Sequence, residues 1–190
     1  MMHTETKIGI AGLGGLGSNI AMMLARSGIR HFVLADFDTV DESNLNRQHY
    51  FPAHLGRKKT ECMKEQLLAL NPALELEIYD TYIDSANAAA IFKGCAIVCE
   101  AFDKPECKSE LVSTLLSQLE DTIIISGSGM AGFESANTIV TKHPLKRLYM
   151  CGDGITDVSV HGRLSAPRVQ ICAGHEANMV LRLLHGITQP

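Results

Sequence analysis

Short runs of apolar residues alternate along this chain with segments in which apolar residues recur every three or four positions. The runs predict buried strands, and the longer spacing predicts helices with one apolar face. The predicted strands cover residues 7–11, 31–36, 73–80, 96–101, 122–128 and 136–143. The predicted helices cover residues 18–27, 58–70, 84–92, 105–119 and 168–185, and residues 144–165 are predicted to form a loop. This alternation indicates an α/β fold with a doubly wound, mostly parallel sheet flanked by helices.

Length and composition narrow the class of protein. The chain has 190 residues, of which 46% are hydrophobic and 20% are charged, so we expect a single globular domain over residues 1–190. A net charge of −4 gives no general attraction to nucleic acids or membranes. No apolar run reaches the ~18 residues that span a membrane, and the N-terminal segment lacks the apolar core of a signal peptide. We therefore predict a cytoplasmic protein.

Six cysteines are spread over the chain, at positions 62, 95, 99, 107, 151 and 172. No two of them have the C-x-x-C spacing of structural zinc sites, so no structural zinc is expected. In a reducing compartment these cysteines are predicted to be free thiols.

A glycine-rich hexapeptide, GLGGLG, follows the first predicted strand. Gly12, Gly14 and Gly17 have the G-x-G-x-x-G spacing, which lets a phosphate group approach the backbone at the start of a helix. Asp36 ends the second predicted strand, where a carboxylate can hydrogen-bond ribose hydroxyls. The order of strand, glycines, helix and acid predicts a Rossmann-like nucleotide site. A tight turn without a ligand is the alternative explanation of the glycines.

A polar segment after Asp36 indicates the kind of nucleotide. The stretch NLNRQ, residues 44–48, carries three amides and Arg47, whose guanidinium can bind phosphate oxygens through two hydrogen bonds. Lys59 lies at the start of the next predicted helix and can place a point charge on a triphosphate. A dinucleotide dehydrogenase does not need such a cluster at this position, so these residues favour a nucleoside triphosphate. The alternative is a solvated basic surface.

Acidic residues follow the fourth apolar strand. Asp103 lies beyond the carboxyl end of that strand, where ligands of open α/β sheets bind, and could hold a magnesium ion on the phosphates. Glu100 and Glu106 are nearby competitors for this role. Alternatively, Asp103 could cap the helix that is predicted to begin near Pro105.

Together these motifs resemble those of the ThiF/MoeB/HesA group of ubiquitin-activating-enzyme-like adenylyltransferases. The resemblance rests on GLGGLGS, LADFDTVDESNLNRQ, GRKK before a helix, the position of Asp103, and SGSGMAGFESANTIVT. It covers residues 7–150 in the order of the family. In its short length and its C-terminal part, the chain is most similar to the compact ThiF-like proteins of bacterial thiamine-thiazole synthesis.

The resemblance implies an adenylation reaction. Members of the group bind ATP, Mg²⁺ and a small ubiquitin-like carrier protein that ends in Gly-Gly. The C-terminal carboxylate of the carrier attacks the α-phosphate, which gives an acyl adenylate and pyrophosphate. Carried over to this sequence, the resemblance implies an ATP site made of Gly12, Gly14, Gly15, Gly17, Asp36, Asp38, Asn44, Arg47, Gln48 and Lys59. Arg47, Lys59 and Asp103 would be catalytic, with Asp103 as the magnesium ligand.

Partners follow from the same resemblance. A ThiS-like sulfur carrier protein is the expected substrate, a cysteine desulfurase could supply the sulfur, and a homodimer is expected because relatives form one. Cys151 lies after the strand where relatives carry a cysteine-bearing crossover loop, and it could form a thioester or acyl disulfide with the carrier. An ordinary cysteine in a loop or at a strand end is the alternative.

The chain departs from the family pattern at two points. Most relatives have an N-terminal helix whose arginine reaches the ATP of the other subunit, whereas the first strand is predicted here to begin near Lys7. Catalysis is then expected to be weaker, or another arginine substitutes. The zinc-binding cysteine pairs of many relatives are also missing.

Other functions stay open at this point. The activated group could belong to another ubiquitin-like carrier, such as a molybdopterin-type one, or to another acid, including a tRNA-bound carboxylate. The chain could instead be a non-catalytic module that binds the carrier. It could also be an NAD-dependent oxidoreductase with the same glycine turn, but that function gives no role to Arg47, Gln48 and Lys59.

Overall fold

A seven-stranded sheet lies at the centre of the protein in a computed structural model that describes residues 5–190. The strands are β1 (Lys7–Ala11), β2 (His31–Asp36), β3 (Glu75–Asp80), β4 (Ile97–Glu100), β5 (Ile123–Gly127), β6 (Val140–Leu145) and β7 (Leu148–Gly152). Their order across the sheet is β3-β2-β1-β4-β5-β7-β6. The pairs between neighbours are parallel, except that β6 runs antiparallel to β7. The prediction of a doubly wound, mostly parallel sheet is confirmed.

Helices connect the strands and cover the sheet. They are α1 (Gly15–Arg26), α2 (Lys59–Leu70), α3 (Ala88–Ile91), α4 (Pro105–Gln118), α5 (Val158–His161) and α6 (Ala166–Leu184). Single 3₁₀ turns cover Glu42–Asn44, Pro52–His54 and Ala136–Thr138. Among the described residues, no helix is both long enough and apolar enough to cross a membrane. The first four residues, on which part of the targeting expectation rests, lie outside the described range.

Successive residues of each strand point to opposite faces of the sheet and build two cores. Ile8 and Ile10 of β1 pack with α1, α2 and α6, whereas Ala11 packs with α3 and α4 on the other face. In β5, Ile125 packs in the same core as Ile8 and Ile10, and Ile124 packs in the same core as Ala11. Because helices cover both faces, the central strands are mostly apolar. The strand order reverses between β1 and β4, which opens a crevice at their carboxyl ends, where such sheets bind ligands.

Four elements differ from the predictions. Leu148–Gly152 forms β7, and Val158–His161 forms a short helix, within the stretch that was predicted to be a loop. The apolar run of β7 has four residues, the lower limit for a buried strand, and it lies in a glycine-containing stretch that was interpreted as a loop. The strand predicted at 136–143 covers Val140–Leu145 instead. Helix α1 begins at Gly15, inside the glycine stretch.

Candidate functional site

A cavity of about 570 Å³ opens at the carboxyl ends of the parallel strands. It is lined by Gly12 after β1, Asp36 of β2, Ala101 after β4 and Gly127 of β5. The cavity therefore lies over the crevice where the strand order reverses. Lining residues numbered up to 83 form what we call the glycine half of the cavity, and those from 101 onward form the α4 half.

The glycine turn brings main-chain atoms to the cavity. Gly12 has a φ of +89°, and a Cβ at this residue would lie 3.1 Å from the carbonyl oxygen of Ala101. Side chains are therefore disfavoured here both by conformation and by space. At Gly14 the nearest described atom to a Cβ would be Gln48 Nε2, 3.7 Å away, and Gly15 also lines the cavity. The backbone at Gly14 is thus open to a ligand.

Two residues that the resemblance placed around the phosphates have other positions in the structure. A Cβ at Gly17 would lie 1.9 Å from the carbonyl oxygen of Gly12, so this glycine lets α1 pack against the turn. Asn44 Oδ1 accepts a hydrogen bond from the amide of Asp41 at 3.1 Å and closes a 3₁₀ turn. Neither residue lines the cavity. In this structure Gly17 has a packing position and Asn44 has a turn-forming position, and direct nucleotide contact by either residue stays a prediction.

Asp36 joins the glycine turn to the chain that leaves β2. It is 7% exposed. Its Oδ2 accepts a hydrogen bond from the amide of Leu13 at 2.6 Å, and its Oδ1 accepts one from the amide of Asp38 at 2.8 Å. A carboxylate oxygen can accept more than one hydrogen bond, so Asp36 can hold the turn and also accept from a ribose hydroxyl.

Arg47 lies across the glycine turn. Its Cγ and Nε would be 3.7 Å from a Cβ at Gly15, and its Nη1 donates to the carbonyl oxygen of Ser43 at 3.0 Å and to Asn46 Oδ1 at 2.9 Å. Arg47 Nε and Gln48 Oε1 are buried, and neither has a hydrogen-bond partner within residues 5–190. Because buried polar atoms are nearly always paired, two such atoms beside the turn indicate that this half of the cavity takes a polar ligand.

Lys59 brings a second cation to the glycine half. Its side chain is almost fully buried, and its Nζ lies 2.8 Å from Asp38 Oδ2. Both residues line the cavity, and about half of the Asp38 side chain is exposed. The ion pair holds the ammonium group at the wall, where a phosphate could share it with Asp38.

Asp103 is exposed and lines the α4 half of the cavity. The N-cap of α4 is Lys104, and no side chain caps the helix, so the capping alternative for Asp103 is not what the structure shows. Within residues 5–190, no group of three His, Cys, Asp or Glu side chains could hold a metal ion. A role of Asp103 as a magnesium ligand stays a prediction.

Glu100, the first competitor of Asp103, is fully buried. Its Oε1 accepts a hydrogen bond from the amide of Phe102 at 2.7 Å, and its Oε2 accepts from Lys108 Nζ at 2.5 Å and Ser126 Oγ at 2.6 Å. These three donors leave Glu100 turned away from the open cavity. Lys108 does line the cavity, and the sequence analysis missed it. The sequence did contain a signal for Lys108: it is a basic residue one turn into the helix that follows Asp103.

Cys151 lies inside β7 and is 1% exposed. Burial, reinforced by the nearby Glu176 carboxyl, raises the pKa of its thiol. Its carbonyl oxygen accepts from Cys172 Sγ at 3.3 Å, and its Sγ lies 3.5 Å from Thr141 Oγ1. Burial and a raised pKa both disfavour reaction of this thiol with a carrier protein, so the structure argues against the covalent role, which stays untested. Cys107, by contrast, lines the cavity.

Two loops that the sequence analysis left without a role form the outer wall of the α4 half. They follow β5 and β7, and the amide of Ala131 donates to Thr156 Oγ1 at 3.1 Å between them. Arg168 Nη2 and Asp153 Oδ2, 2.6 Å apart and both buried, fix the second loop to α6. Burial opposes ionisation of Asp153, but hydrogen bonds from Thr156 and Ile155 and the Arg168 charge lower its pKa.

Aromatic residues and an asparagine complete the glycine half. Phe37 and Tyr82 meet edge to face with ring centroids 5.1 Å apart, and both line the cavity beside Asp36. Such a surface can stack on a nucleobase. Asn19 Nδ2 donates to the carbonyl oxygens of Gly15 at 2.7 Å and Arg47 at 3.1 Å, which fixes the polar segment to α1. The sequence analysis missed Phe37, although its position directly after Asp36 was a signal that it lies at the site.

Comparison with known proteins shows which family the chain belongs to. Residues 3–190 match the ThiF family. The adenylyltransferase and sulfurtransferase UBA4 of Eremothecium gossypii is 34% identical over 150 residues, which is 76% of this chain and 33% of that protein. The tRNA threonylcarbamoyladenosine dehydratase of Haemophilus influenzae is 33% identical over 129 residues, or 66% of this chain and 49% of that protein.

A relative matched over nearly the whole chain is the molybdopterin-synthase adenylyltransferase of Escherichia coli. It is 26% identical over 191 residues, which cover 98% of this chain and 76% of that protein. The chain thus spans between a third and three quarters of the length of these curated relatives. The crystal structure of E. coli tRNA N6-threonylcarbamoyladenosine dehydratase, TcdA, has the same fold, with a TM-score of 0.86, 20% identity, and coverage of 97% of this chain and 88% of that one.

Proposed function

The chain belongs to the ThiF family, and from that premise we propose that it is an ATP-dependent adenylyltransferase that activates a carboxylate. The observation that carries the proposal is the pair of buried, unpartnered polar atoms, Arg47 Nε and Gln48 Oε1, beside the open backbone of Gly14. A phosphate oxygen of a triphosphate on the glycine turn would accept a hydrogen bond from Arg47 Nε, and a hydroxyl of the nucleotide could donate one to Gln48 Oε1. Two of the relatives described above are adenylyltransferases by name.

The proposed reaction joins two anions and needs no protein nucleophile. An oxygen of the substrate carboxylate bonds to the α-phosphorus of ATP. The bond from that phosphorus to the oxygen bridging to the β-phosphate breaks, and pyrophosphate leaves with the electron pair. The protein therefore has to neutralise and orient both reactants. Arg47 and Lys59 would hold the phosphates, and Asp36 would hold the ribose.

Asp103 is the residue proposed to hold magnesium. The ion, when bound, would supply positive charge to the phosphate oxygens. The exposure of Asp103 at the cavity, with no cap or ion pair to hold it elsewhere in the described structure, leaves its carboxylate available for this role.

For the substrate we propose the C-terminal Gly-Gly carboxylate of a ThiS-like sulfur carrier protein, in thiamine thiazole biosynthesis. The resemblance to the compact ThiF-like proteins supports this choice. The proposed partners are a cysteine desulfurase that supplies the sulfur and a second copy of the chain in a homodimer. One relative is named for molybdopterin synthase and another for a modified tRNA nucleoside, so a molybdopterin-type carrier and a tRNA-bound carboxylate are the competing substrates.

The test is the exchange of labelled pyrophosphate into ATP with purified protein and Mg²⁺. The reaction is run in parallel with a ThiS-like carrier, a molybdopterin-type carrier, tRNA, and no acceptor. Exchange that requires a carrier supports a reversible acyl adenylate, and the carrier that supports it identifies the substrate class. Truncation of the terminal Gly-Gly of that carrier should abolish exchange.

The negative outcomes separate the remaining functions. ATP binding without exchange for any acceptor would favour a non-catalytic module that binds the carrier. Binding of NADH without binding of ATP would favour the oxidoreductase. Either result would overturn the proposal of an adenylyltransferase.

A further inference from the structure

We propose that Lys108 binds an oxygen of the carboxylate that is being activated, and that Glu100 is the positioning residue that holds the Lys108 ammonium group in place. This inference rests on the proposed function, because it names the group that meets the second reactant. None of the motifs that identify the family includes Lys108. Its position in the fold, its anchoring and its charge carry the argument.

The position of Lys108 follows from the register of the sheet. Ala11 of β1 pairs with Glu100 of β4, and Glu100 in turn pairs with Ser126 of β5. Adjacent strands are about 4.8 Å apart, so the end of β4 is one strand away from the glycine turn. Lys108 reaches this point from α4 and hydrogen-bonds Glu100. Lys108 lines the α4 half of the cavity, and this hydrogen bond holds its ammonium group at the end of β4.

The anchoring of Lys108 leaves it able to bind a ligand. Glu100 takes one hydrogen bond from the ammonium and is itself fixed by Ser126 Oγ and the amide of Phe102. An ammonium group has three N–H donors, so two remain beyond the one that Glu100 uses. The Lys108 side chain is 20% exposed, and it lines the cavity. A cation fixed by a buried acid at a cavity wall is preorganised for an anionic oxygen.

The other cations of the cavity support this assignment. Arg47 and Lys59 lie in the glycine half, where the phosphates are proposed to bind. The α4 half contains Lys104 and Lys108. Lys104 is exposed at the N-cap of α4, whereas Lys108 is held by a fully buried carboxylate. Since adenylation brings a second anion against the phosphates, a fixed cation on the α4 side offsets their mutual repulsion.

A second buried carboxyl lies behind the same wall. Glu176 of α6 is fully buried, and Glu176 Oε1 would lie 2.8 Å from a Cβ at Gly127, a lining residue. Neither of its oxygens has a hydrogen-bond partner in the described part of the chain. Burial raises the pKa of Glu176 well above its usual range, more than the nearby Lys108 lowers it.

In the proposed step, Lys108 donates a hydrogen bond to one oxygen of the substrate carboxylate while the other oxygen forms the bond to the α-phosphorus. The bond from that phosphorus to pyrophosphate breaks, and pyrophosphate leaves with the electron pair. No proton is transferred. In the product, Lys108 donates to the carbonyl oxygen of the acyl adenylate.

Two anionic ligands test this contact without any carrier protein. AMP presents the base, ribose and α-phosphate, whereas 5′-O-(N-acetylsulfamoyl)adenosine adds an acyl group in the place of the acyl adenylate. Isothermal titration calorimetry gives the Kd of each ligand for the wild type, Lys108→Met and the matched control Lys104→Met. We expect Lys108→Met to weaken binding of the acyl ligand about tenfold and binding of AMP less than about twofold. Lys104→Met should change neither Kd.

Three further variants keep the test decisive if Lys108→Met is unstable. Lys108→Arg keeps the charge and should restore most of the selectivity for the acyl ligand. The double variant Glu100→Gln, Lys108→Met removes the acid and the cation together, so it leaves no unpaired buried charge and should show the same selective loss. The single variant Glu100→Gln should lose part of the selectivity and keep the Kd of AMP.

The outcomes separate this inference from the proposed function. If the wild type binds both ligands and loss of Lys108 leaves the ratio of the two Kd values unchanged, the inference is overturned and the proposed function is untouched. An equal increase in the Kd of both ligands would also overturn the inference, because Lys108 would then contribute to nucleotide binding or to stability of the fold. If the wild type binds neither ligand, the proposed function fails, and the inference fails with it.

Discussion

The two halves of the cavity are built in different ways. The glycine half is formed mainly by one stretch of chain, from Gly12 to Lys59, in which Asp36 accepts from a main-chain amide of the turn and Lys59 pairs with Asp38. The α4 half combines the start of α4 with loops after β5 and β7 that are distant in sequence, and much of its wall is apolar. Local chain chemistry therefore shapes the first half, and tertiary packing shapes the second.

This difference suggests a division of labour between the halves. A nucleotide presents the same phosphates and ribose to every enzyme that binds it, so a short polar segment is enough to hold it. Two of the relatives are named for different targets, a modified tRNA nucleoside and molybdopterin synthase. A wall made of separate loops can vary without disturbing the nucleotide site. The substitutions below test whether the halves are separable in this way.

Removal of Arg47 is expected to have the largest effect. Arg47→Ala takes away a guanidinium whose Nε is buried beside the glycine turn, and exchange of pyrophosphate into ATP should fall by about 100- to 1000-fold. The fold should survive, because the hydrogen bonds of Arg47 to Ser43 and Asn46 are exposed. The measurement is the exchange rate at saturating ATP, together with a thermal melt.

Arg57→Ala is the matched control for that variant. Arg57 is an exposed arginine, paired with Glu65 at 2.5 Å, and it does not line the cavity. Its loss should leave exchange within about twofold of the wild type, since exposed pairs contribute little. If Arg47→Ala resembled Arg57→Ala, the nucleotide would not lie on the glycine half.

Gly17 and Gly14 should respond in opposite ways to the same added methyl group. In Gly17→Ala the Cβ would lie 1.9 Å from the carbonyl oxygen of Gly12, so the turn must shift at a cost of about 3 kcal/mol. That cost corresponds to a melting temperature lower by roughly 6–12 °C. In Gly14→Ala the Cβ meets nothing closer than 3.7 Å in the described structure, so the fold should keep its stability.

Nucleotide binding separates these two variants further. Gly14→Ala places its methyl group in the cavity, so the Kd for ATP should rise while the melting temperature is unchanged. Differential scanning calorimetry and titration with ATP measure the two quantities. Equal destabilisation by both substitutions would contradict the distinction between a ligand-facing glycine and a packing glycine.

The same contrast explains how much the sequence could predict. The parallel sheet and its helices follow from apolar runs and helical spacing, and Asp36, Arg47 and Lys59 follow from their places after strands or before a helix. These signals are local in the chain. The G-x-G-x-x-G spacing, however, does not show which glycine faces a ligand, and Gly17 proved to serve packing.

The α4 half was harder to predict because its contacts join distant residues. Glu100 was interpreted as a competitor for magnesium, but Ser126 and Lys108 occupy its carboxylate. That arrangement depends on the pairing of β4 with β5 and on the rotation of α4, which the local pattern does not contain. Cys151 was placed in a loop because the short run of β7 was not identified as a strand, and so its burial was not foreseen.

The two buried glutamates behind the α4 half should differ in the sign of their effect on stability. Glu176 has no partner in the described structure, so Glu176→Met, which replaces the carboxyl with an apolar group, should stabilise the protein by about 1–3 kcal/mol. Glu100→Met should instead destabilise it by about 3 kcal/mol, because Lys108 loses its partner. Thermal melts of both variants measure the difference.

The pH dependence provides a second readout for Glu176. Its pKa in the folded state is raised by burial above the value of about 4.3 expected in the unfolded chain. Above that pH the folded state binds more protons than the unfolded state, so wild-type stability falls as pH rises. The gain in Glu176→Met should therefore be larger at about pH 8 than at about pH 5. A gain that shrinks with pH would mean that Glu176 is ionised and paired.

Replacement of Cys151 is expected to have the smallest effect on activity. Labelling of this thiol tests whether it is separated from the α4 half of the cavity. Cys107 lines the cavity, whereas Cys151 is enclosed between β7 and α6, where burial raises its thiol pKa. In the native protein a maleimide should modify Cys107 and spare Cys151, and both should react in urea, as mass spectrometry can show. Cys151→Ala should leave pyrophosphate exchange within about twofold of the wild type. Native labelling of Cys151, or loss of carrier conjugation in Cys151→Ala alone, would show that β7 opens during turnover, and a covalent role for this thiol would then regain support.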